Sequence, residues 1–342
     1  MTGTKRTAVT LVVITVLLSL VIGVVGIVGV TGLSDTAAEL KQHIIVQLQI
    51  PLILTACLVG AALSTSGATL QVVLRNPLAD PGIIGITSGA SLVAALLLLL
   101  TPQWTTAYLH YLLPLGCFIG ALLSTFIIYR LARKLLGSST AVILAGIAIS
   151  TLSGAVIAWL YMFSDANALR NLTFWLMGSL YQTNWLILSV GGPLIAVAVA
   201  LQLYFAGDLN KLYAGELAAK SSGVDVEKLT ERALIVCAIA VGTAVSMAGS
   251  IAFVGLLVPH ILRLIIGHNN RYLLPLSALS GASLLMLVAL SSEITRAITL
   301  PVSMVTANVQ IEVLQSTGEE QRAISSRDQS EILKEKYKKF RN

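Results

Sequence analysis

The chain has 342 residues, 56% of them hydrophobic and only 11% charged, with a formal net charge of +6. Its apolar residues come in uncharged blocks long enough to cross a hydrocarbon core of roughly 30 Å, which takes about 20 helical residues. The blocks are continuous rather than alternating, so helices and not a β-barrel satisfy the backbone in lipid, and the basic residues in short loops read as membrane topology rather than nucleic-acid binding.

A first span is expected at 8–30. Lys5 and Arg6 before it suggest a signal peptide, but the run is longer than the usual 7–15 residues of a signal core, so a retained helix is expected. A polar segment, 31–47, leads to spans at 50–74, 83–100, 107–131, 140–162 and 185–206. A charged loop, 207–231, separates these from spans at 232–252 and 273–292. Between the last two lies 254–266, which rises only about 20 Å as helix and holds Pro259 and His260. Such short, interrupted segments either line cavities or simply pack as bends. With the N-terminus inside, twelve basic residues from Lys5 to Arg271 fall inside and only Lys41, Arg170 and Arg296 outside, which orients the chain and makes 207–231 cytoplasmic.

Cys57, Cys117 and Cys237 all lie in apolar blocks, with neither disulfide nor zinc spacing. A short echo joins Ser88-Gly89-Ala90-Ser91-Leu92 to Ser280-Gly281-Ala282-Ser283-Leu284, a hint of internal repeats. No phosphate loop, metal-ligand pair or nucleophile elbow occurs, so no cofactor or catalytic residue is expected. The spans are nearly free of ionisable groups, which argues against a proton relay. If the chain transports, its energy comes from a partner.

Three segments carry chemistry. In the loop, 211–220 is expected to be helical and to break at Ser221-Ser222-Gly223, with Leu212, Leu217 and Ala218 as apolar contacts and Glu216–Lys220 as an i,i+4 pair. It reads either as a short helix plugging into a soluble subunit or as a solvated connector. In Arg75–Gly82, Pro77 and Pro81 bracket an Asx-type turn in which Asn76 and Asp80 cap backbone groups. In Phe253–His260 with Arg263, His260 reads as a gate, a ligand or a pH switch, or as a packed histidine beside Pro259.

Taken together, Gly60-Ala61-Ala62-Leu63, Ser66-Gly67-Ala68, Gln71, the NPLADPG run from Asn76, Gly85, Ser88-Gly89-Ala90, Phe174–Leu180, Trp185, Gly249, the FVGLLVPH run with Arg263, and Leu300-Pro301-Val302 resemble the FecCD family of permeases. The resemblance covers about residues 50–307. It implies an all-α polytopic membrane protein of about nine to ten transmembrane helices, a BtuC-like permease bundle that works as a dimer. Such a subunit is not an enzyme: partner ABC ATPase subunits hydrolyse the ATP and a periplasmic or lipoprotein substrate-binding protein docks outside. The implied partners further include a second permease copy or paralogue and membrane lipid, without nucleic acid, in the bacterial cytoplasmic membrane. The resemblance places Gly215, Glu216, Ala219 and Gly223 in the ATPase-coupling element. Asn76, Pro77, Asp80 and Ser88, with Ser138, Ser139 and Thr140, become inner-mouth or gate positions. Arg296 becomes a contact for the binding protein, and Pro259, His260 and Arg263 a structural motif. The implied cargo is an iron chelate, ferric siderophore before haem. The alternatives are a cobalamin importer, a secondary carrier, or an impaired permease that transports nothing.

The chain departs from the family pattern in four places, one of them the usual acidic residue before the external arginine, which appears here as Ser291 or Ser292 with Glu293 nearby. Gln49-Ile50-Pro51-Leu52 stands where the family often carries R-x-P-R, and Ser222-Gly223 replaces LG. After Ala307 the sequence turns polar, so a permease domain is expected over 1–316 and a charged tail over 317–342.

Overall fold

The computed structural model describes residues 42–100, 106–134, 139–182 and 184–294, with isolated positions 10, 14 and 21. Eleven α-helices run through them: α1 (Ile50–Val73), α2 (Ile86–Leu100), α3 (Thr106–Lys134), α4 (Ser139–Tyr161), α5 (Ala166–Met177), α6 (Trp185–Tyr204), α7 (Ala206–Tyr213), α8 (Glu216–Ser221), α9 (Val226–Ala248), α10 (Val254–Ile266) and α11 (Asn270–Ile294). A π-helical turn, Ile45–Gln49, leads straight into α1. No strand occurs among the described residues. Six helices are long and apolar enough to cross a membrane, and α2 and α10 are shorter apolar helices. The span expected at 8–30 and the tail 317–342 lie outside the described residues.

The bundle is built around α1. It packs against α11, α9, α10 and α6, while α2 packs against α3 and α4. From Val59 to Val73 every residue of α1 except Ala61 is buried. Lipid tails are as apolar as leucine, so burial of apolar surface does little to bring two helices together in a membrane. Close backbone approach through small residues does that instead. α1 meets α11 where Gly60 faces Gly281, and meets α10 where Gly67 faces Gly255. In the other half, α2 meets α3 where Gly89 faces Gly120. At each of these places a β-carbon would fall on the opposing backbone. The two SGAS copies therefore do the same job: each supplies the glycine of a helix crossing, Gly89 in α2 and Gly281 in α11.

Two differences from the sequence reading have plain causes. First, α9 begins at Val226, six residues before the expected 232. Asp225 caps it, accepting from the Lys228 N–H at 3.1 Å, and Glu227, Lys228, Glu231 and Arg232 lie in the first turns of one continuous helix. Charge made those turns look like loop. Second, α5 was not expected as an element. It is a 12-residue amphipathic helix capped by Asp165, which accepts from the Ala168 N–H at 2.8 Å, with Leu172 and Trp175 buried. Too short and too polar for a span, it leaves no hydropathy signal.

Gly67→Ala should cost about 3 kcal/mol by forcing α1 and α10 apart. Gly154→Ala, where a β-carbon meets nothing within 4 Å, should be neutral. Thermal unfolding of the purified full chain in detergent checks both, and equal midpoints for the two variants would contradict the crossing geometry.

Candidate functional site

One end of the bundle carries the α7–α8 elbow. The expected single helix over 211–220 is two helices, because the chain turns at Ala214-Gly215, where Gly215 has φ +117. α8 then ends in a Schellman motif: Gly223 at φ +79 donates to the Lys220 carbonyl and Val224 to the Ala219 carbonyl, both at 3.0 Å. Neither glycine is crowded, so both are needed for their left-handed backbone and not for space. The turn also sorts the apolar residues. Leu209, Leu212 and Ala219 are buried against the bundle, whereas Leu217 is 85% exposed and Ala218 is exposed beside it. Of the three apolar contacts expected here, Leu217 and Ala218 therefore remain available to a partner, and Leu212 holds the elbow in place.

The elbow is clamped on two sides. On one side Glu216 reaches the α1–α2 turn. Its Oε2 accepts from Arg75 Nη2 at 2.6 Å, and its Oε1 pairs with Lys220 at 3.0 Å. The Arg75 hydrogen bond, followed by that of Lys220, holds the Glu216 carboxyl below the usual carboxylate range. The pair is thus fully formed at neutral pH and is lost as pH falls through that lowered value. Being half-exposed, the bridge is worth about 1 kcal/mol at most, so it matters chiefly for position. Arg75 itself has φ +51 at the C′ position of a Schellman motif closing α1, with Asn76 donating to the Gln71 carbonyl at 3.1 Å. Glycine is the usual residue there.

The turn beyond Arg75 is the expected Asx structure. Asn76 Oδ1 accepts from the Leu78 N–H at 2.9 Å, and Asp80 Oδ2 accepts from the Gly82 N–H at 2.8 Å. Pro77 is exposed. Asp80 keeps an accessible edge but is packed round by protein. A β-carbon at Gly255, in the first turn of α10, would lie 3.0 Å from Asp80 Oδ1. This burial pushes the Asp80 carboxyl up to about 6, against the downward pull of the Gly82 N–H.

On the other side, Asn210 Oδ1 accepts from the Asn270 N–H at 2.7 Å, and its amide donates to Asn269 at 2.9 Å, which ties α7 to the α10–α11 turn. Tyr213 stacks on His268 with ring centroids 4.9 Å apart, and the Arg263 guanidinium lies 5.7 Å from the Tyr213 ring. Arg263 is buried. Its Nε donates to Gln71 Oε1 and its Nη2 to the Ala68 carbonyl, both at 3.1 Å, while Gln71 Nε2 donates to the Leu256 carbonyl at 3.4 Å. Deeper in α1, Thr69 donates to Gln202 Oε1 at 3.2 Å, and Gln202 donates to Ser66 at 3.1 Å. A ladder of polar contacts thus runs from the elbow through Arg263 into α1. Pro259 is buried in α10, and His260, half-buried on the same helix, stands outside the ladder.

Among the gate positions, Ser88 donates to Ser150 at 2.8 Å, pinning α2 to α4, and Ser139 donates to the Val73 carbonyl at 3.4 Å, pinning the start of α4 to the end of α1. Thr140 is exposed. Ser138 and Arg296 lie outside the described residues. A cavity of about 740 Å³ opens beside the elbow, and Arg75, Ser139, Glu216, Lys220 and Glu227 all line it. It brings one expected gate position, Ser139, and one expected coupling position, Glu216, to the same space, whereas Ser88 and Asp80 do not line it. Among the described residues no group of three His, Cys, Asp or Glu could hold a metal ion. Sequence reasoning singled out the Arg75–Gly82 segment without giving Arg75 a role, and missed Asn210, Tyr213 and Gln202. Only Arg75 carried a local signal, as a non-glycine residue where a helix ends.

A family model described as the FecCD transport family matches residues 11–314. The chain belongs to the FecCD family. It is 42% identical over 252 residues to the vitamin B12 import system permease protein BtuC of Vibrio cholerae, covering 73% of this chain and 74% of that one. It is 42% identical over 247 residues to the hemin transport system permease protein HmuU of Yersinia pestis, covering 71% and 73%. A solved chain described as a metal-chelate type ABC transporter in an inward-facing conformation superposes with a TM-score of 0.80 at 29% identity, covering 90% of this chain and 97% of that one. The FecCD chain is thus an all-α, multi-pass permease subunit of an ABC importer, and ATP hydrolysis belongs to a partner ATPase. As an importer it also works with a substrate-binding partner.

Two outcomes follow from the site. Asp80→Asn keeps an acceptor for the Gly82 N–H but removes the charge. Ionised Asp80 costs stability above about pH 6, and protonation removes that cost as pH falls through it. The variant should therefore unfold at a higher temperature than the parent at pH 8, with the gap narrowing below pH 6 and closing only near pH 4, about the ordinary carboxylate value. Arg75→Gly relieves the left-handed backbone while deleting the Glu216 bridge. It should leave the thermal midpoint level or slightly raised while lowering ATP-driven transport in vesicles.

Proposed function

We propose that this FecCD subunit moves cobalamin into the cytoplasm by alternating access. The observation that carries this is the similarity to vitamin B12 permeases, 42% identical in Vibrio cholerae and 44% in Vibrio vulnificus, over nearly three quarters of this chain in each case. The motifs alone put ferric siderophore first; the named relatives favour cobalamin, and we order them accordingly. Haem is the second reading, supported by the equal identity to the hemin permease. Both cargoes are large metal-bearing macrocycles. A broad, uncharged wall suits such a cargo, and the exposed face of α4 offers one in Ala148, Thr151, Ala155 and Ala158.

In this reading the N-terminus is inside the bacterial cytoplasmic membrane and residues 1–316 form the permease domain. The segment 317–342 is a charged tail beyond the family match. The elbow meets the ATPase from below, with Leu217 as its apolar contact and Gly215, Glu216, Ala219 and Gly223 shaping it. A second permease copy or a paralogue completes the pathway, and Arg296 meets the binding protein outside. Asn76, Pro77, Asp80, Ser88, Ser138, Ser139 and Thr140 form the inner mouth. Pro259, His260 and Arg263 hold α10 in the bundle.

The test is uptake in cells lacking their own permease, with the full chain expressed beside its ATPase and binding protein. Labelled cobalamin should accumulate in an ATP-dependent manner, and haem uptake without cobalamin uptake would put the second reading first. Accumulation driven by a proton gradient alone would overturn the importer assignment. Leu217→Asp should cut co-purification of the ATPase at least ten-fold while the permease itself still folds. Unchanged recovery would remove the elbow from the contact.

A further inference from the structure

On the flank of the bundle α3 and α9 line a groove of about 550 Å³, which shares Tyr129 and Arg133 with the cavity beside the elbow. Its mouth is lined by Arg130, Arg133 and Lys134 at the end of α3, and its floor by Phe126, Leu234 and Ile235 among others. Of the acids of this region, Glu231 lines the groove and Glu227 does not. Glu227 pairs with Arg133 at 2.6 Å, and Glu231 accepts from the Tyr129 hydroxyl at 3.2 Å. Arg130 and Lys134 have no carboxylate within reach among the described residues. They stand four residues apart on one helix face, about 6 Å from each other. The Arg130 guanidinium is steered over the Phe126 ring, 4.9 Å from its centroid, at the edge of the groove.

Below this mouth the surface turns apolar. The groove itself continues only from Phe126 to Leu122, roughly 6 Å of helix, but Leu115, Ile119, Leu123 and Phe126 carry an exposed apolar row down α3 for roughly 16 Å. Three cations against one carboxylate in the groove lining, above an apolar surface of that length, match one kind of occupant. The phosphodiester of a lipid sits between the cations and an acyl chain lies along that surface. Basic pockets between spans on the cytoplasmic side attract anionic head groups, at about 1 kcal/mol per base.

We infer that the α3–α9 groove binds one anionic phospholipid, its head group held by Arg130 and Lys134 and its chain lying against Phe126, Leu234 and Ile235. Such a lipid spans the same two helices that Arg133–Glu227 and Tyr129–Glu231 join, and so reinforces that seam at the membrane boundary.

The test is native mass spectrometry of the full chain in detergent with equal amounts of phosphatidylglycerol and phosphatidylcholine. Phosphatidylglycerol should be retained preferentially, and Arg130→Ala combined with Lys134→Ala should reduce its adducts roughly ten-fold or more. Arg130→Lys should keep them. Should the double variant fold poorly, Phe126→Trp in otherwise unchanged protein gives an independent readout: dibrominated phosphatidylglycerol should quench its fluorescence more than dibrominated phosphatidylcholine. Equal retention or equal quenching of the two lipids would overturn the inference. So would displacement of phosphatidylglycerol by millimolar inorganic phosphate, which would mean a free-anion site. A double variant that loses pairing with a second permease copy while keeping its lipid adducts would make the groove a protein interface and overturn it too.

Discussion

A helix inside a membrane bundle gains little from burying leucine against leucine, since lipid already provides that environment. What holds α1 at the centre is contact of backbone with backbone, at Gly60 with Gly281 and at Gly67 with Gly255. These crossings leave no room for side chains to adjust, so α1, α10 and α11 move together or not at all. Once they are that close, the polar atoms of α1 must find partners inside the protein. Ser64 donates to the Ser277 carbonyl at 2.6 Å, and Ala68 and Gln71 accept from Arg263. Close packing and internal hydrogen bonding are thus two sides of one constraint.

Under the proposed coupling role, that constraint would make a surface elbow a lever. α8 by itself is six residues of helix with little to hold it. Arg75 and Glu216 join it to the end of α1, while Asn210 and Tyr213 join its neighbour α7 to the α10–α11 turn and, through Arg263, to α1 again. If the ATPase pushes on Leu217, as proposed, these clamps lead the push to α1. Ser139 with the Val73 carbonyl, and Ser88 with Ser150, then tie the ends of α1 and α2 to α4, whose span is the least buried of the candidate spans.

Much of the architecture was legible in the sequence, because a span is a matter of length and polarity. α1, α3, α4 and α6 could be read from their apolar runs, and the Asn76 and Asp80 caps from turn chemistry two residues long. The internal echo could be seen but not interpreted until Gly89 and Gly281 were both found at helix crossings. What stayed hidden was of two kinds. α5 and the first turns of α9 carry the polarity of loops while having the hydrogen bonds of helices. The clamps join residues far apart in the chain, Arg75 with Glu216 and Gln71 with Arg263. No local pattern announces which distant residue answers a buried arginine. The Gly215 turn had a further consequence, since it rotates Leu217 outward and leaves Leu212 inward, a distinction that one continuous helix would have blurred.

The central claim is that the elbow and the end of α1 form one rigid body. Spin labels on Ser221→Cys and Leu78→Cys, both on exposed positions, report the distance between them within one subunit of the assembled importer. The account predicts that this distance is the same without nucleotide and with ATP bound, while distances between the two permease subunits change. A nucleotide-dependent shift of several ångströms within the subunit would show that the elbow moves on its own, and the lever would be refuted.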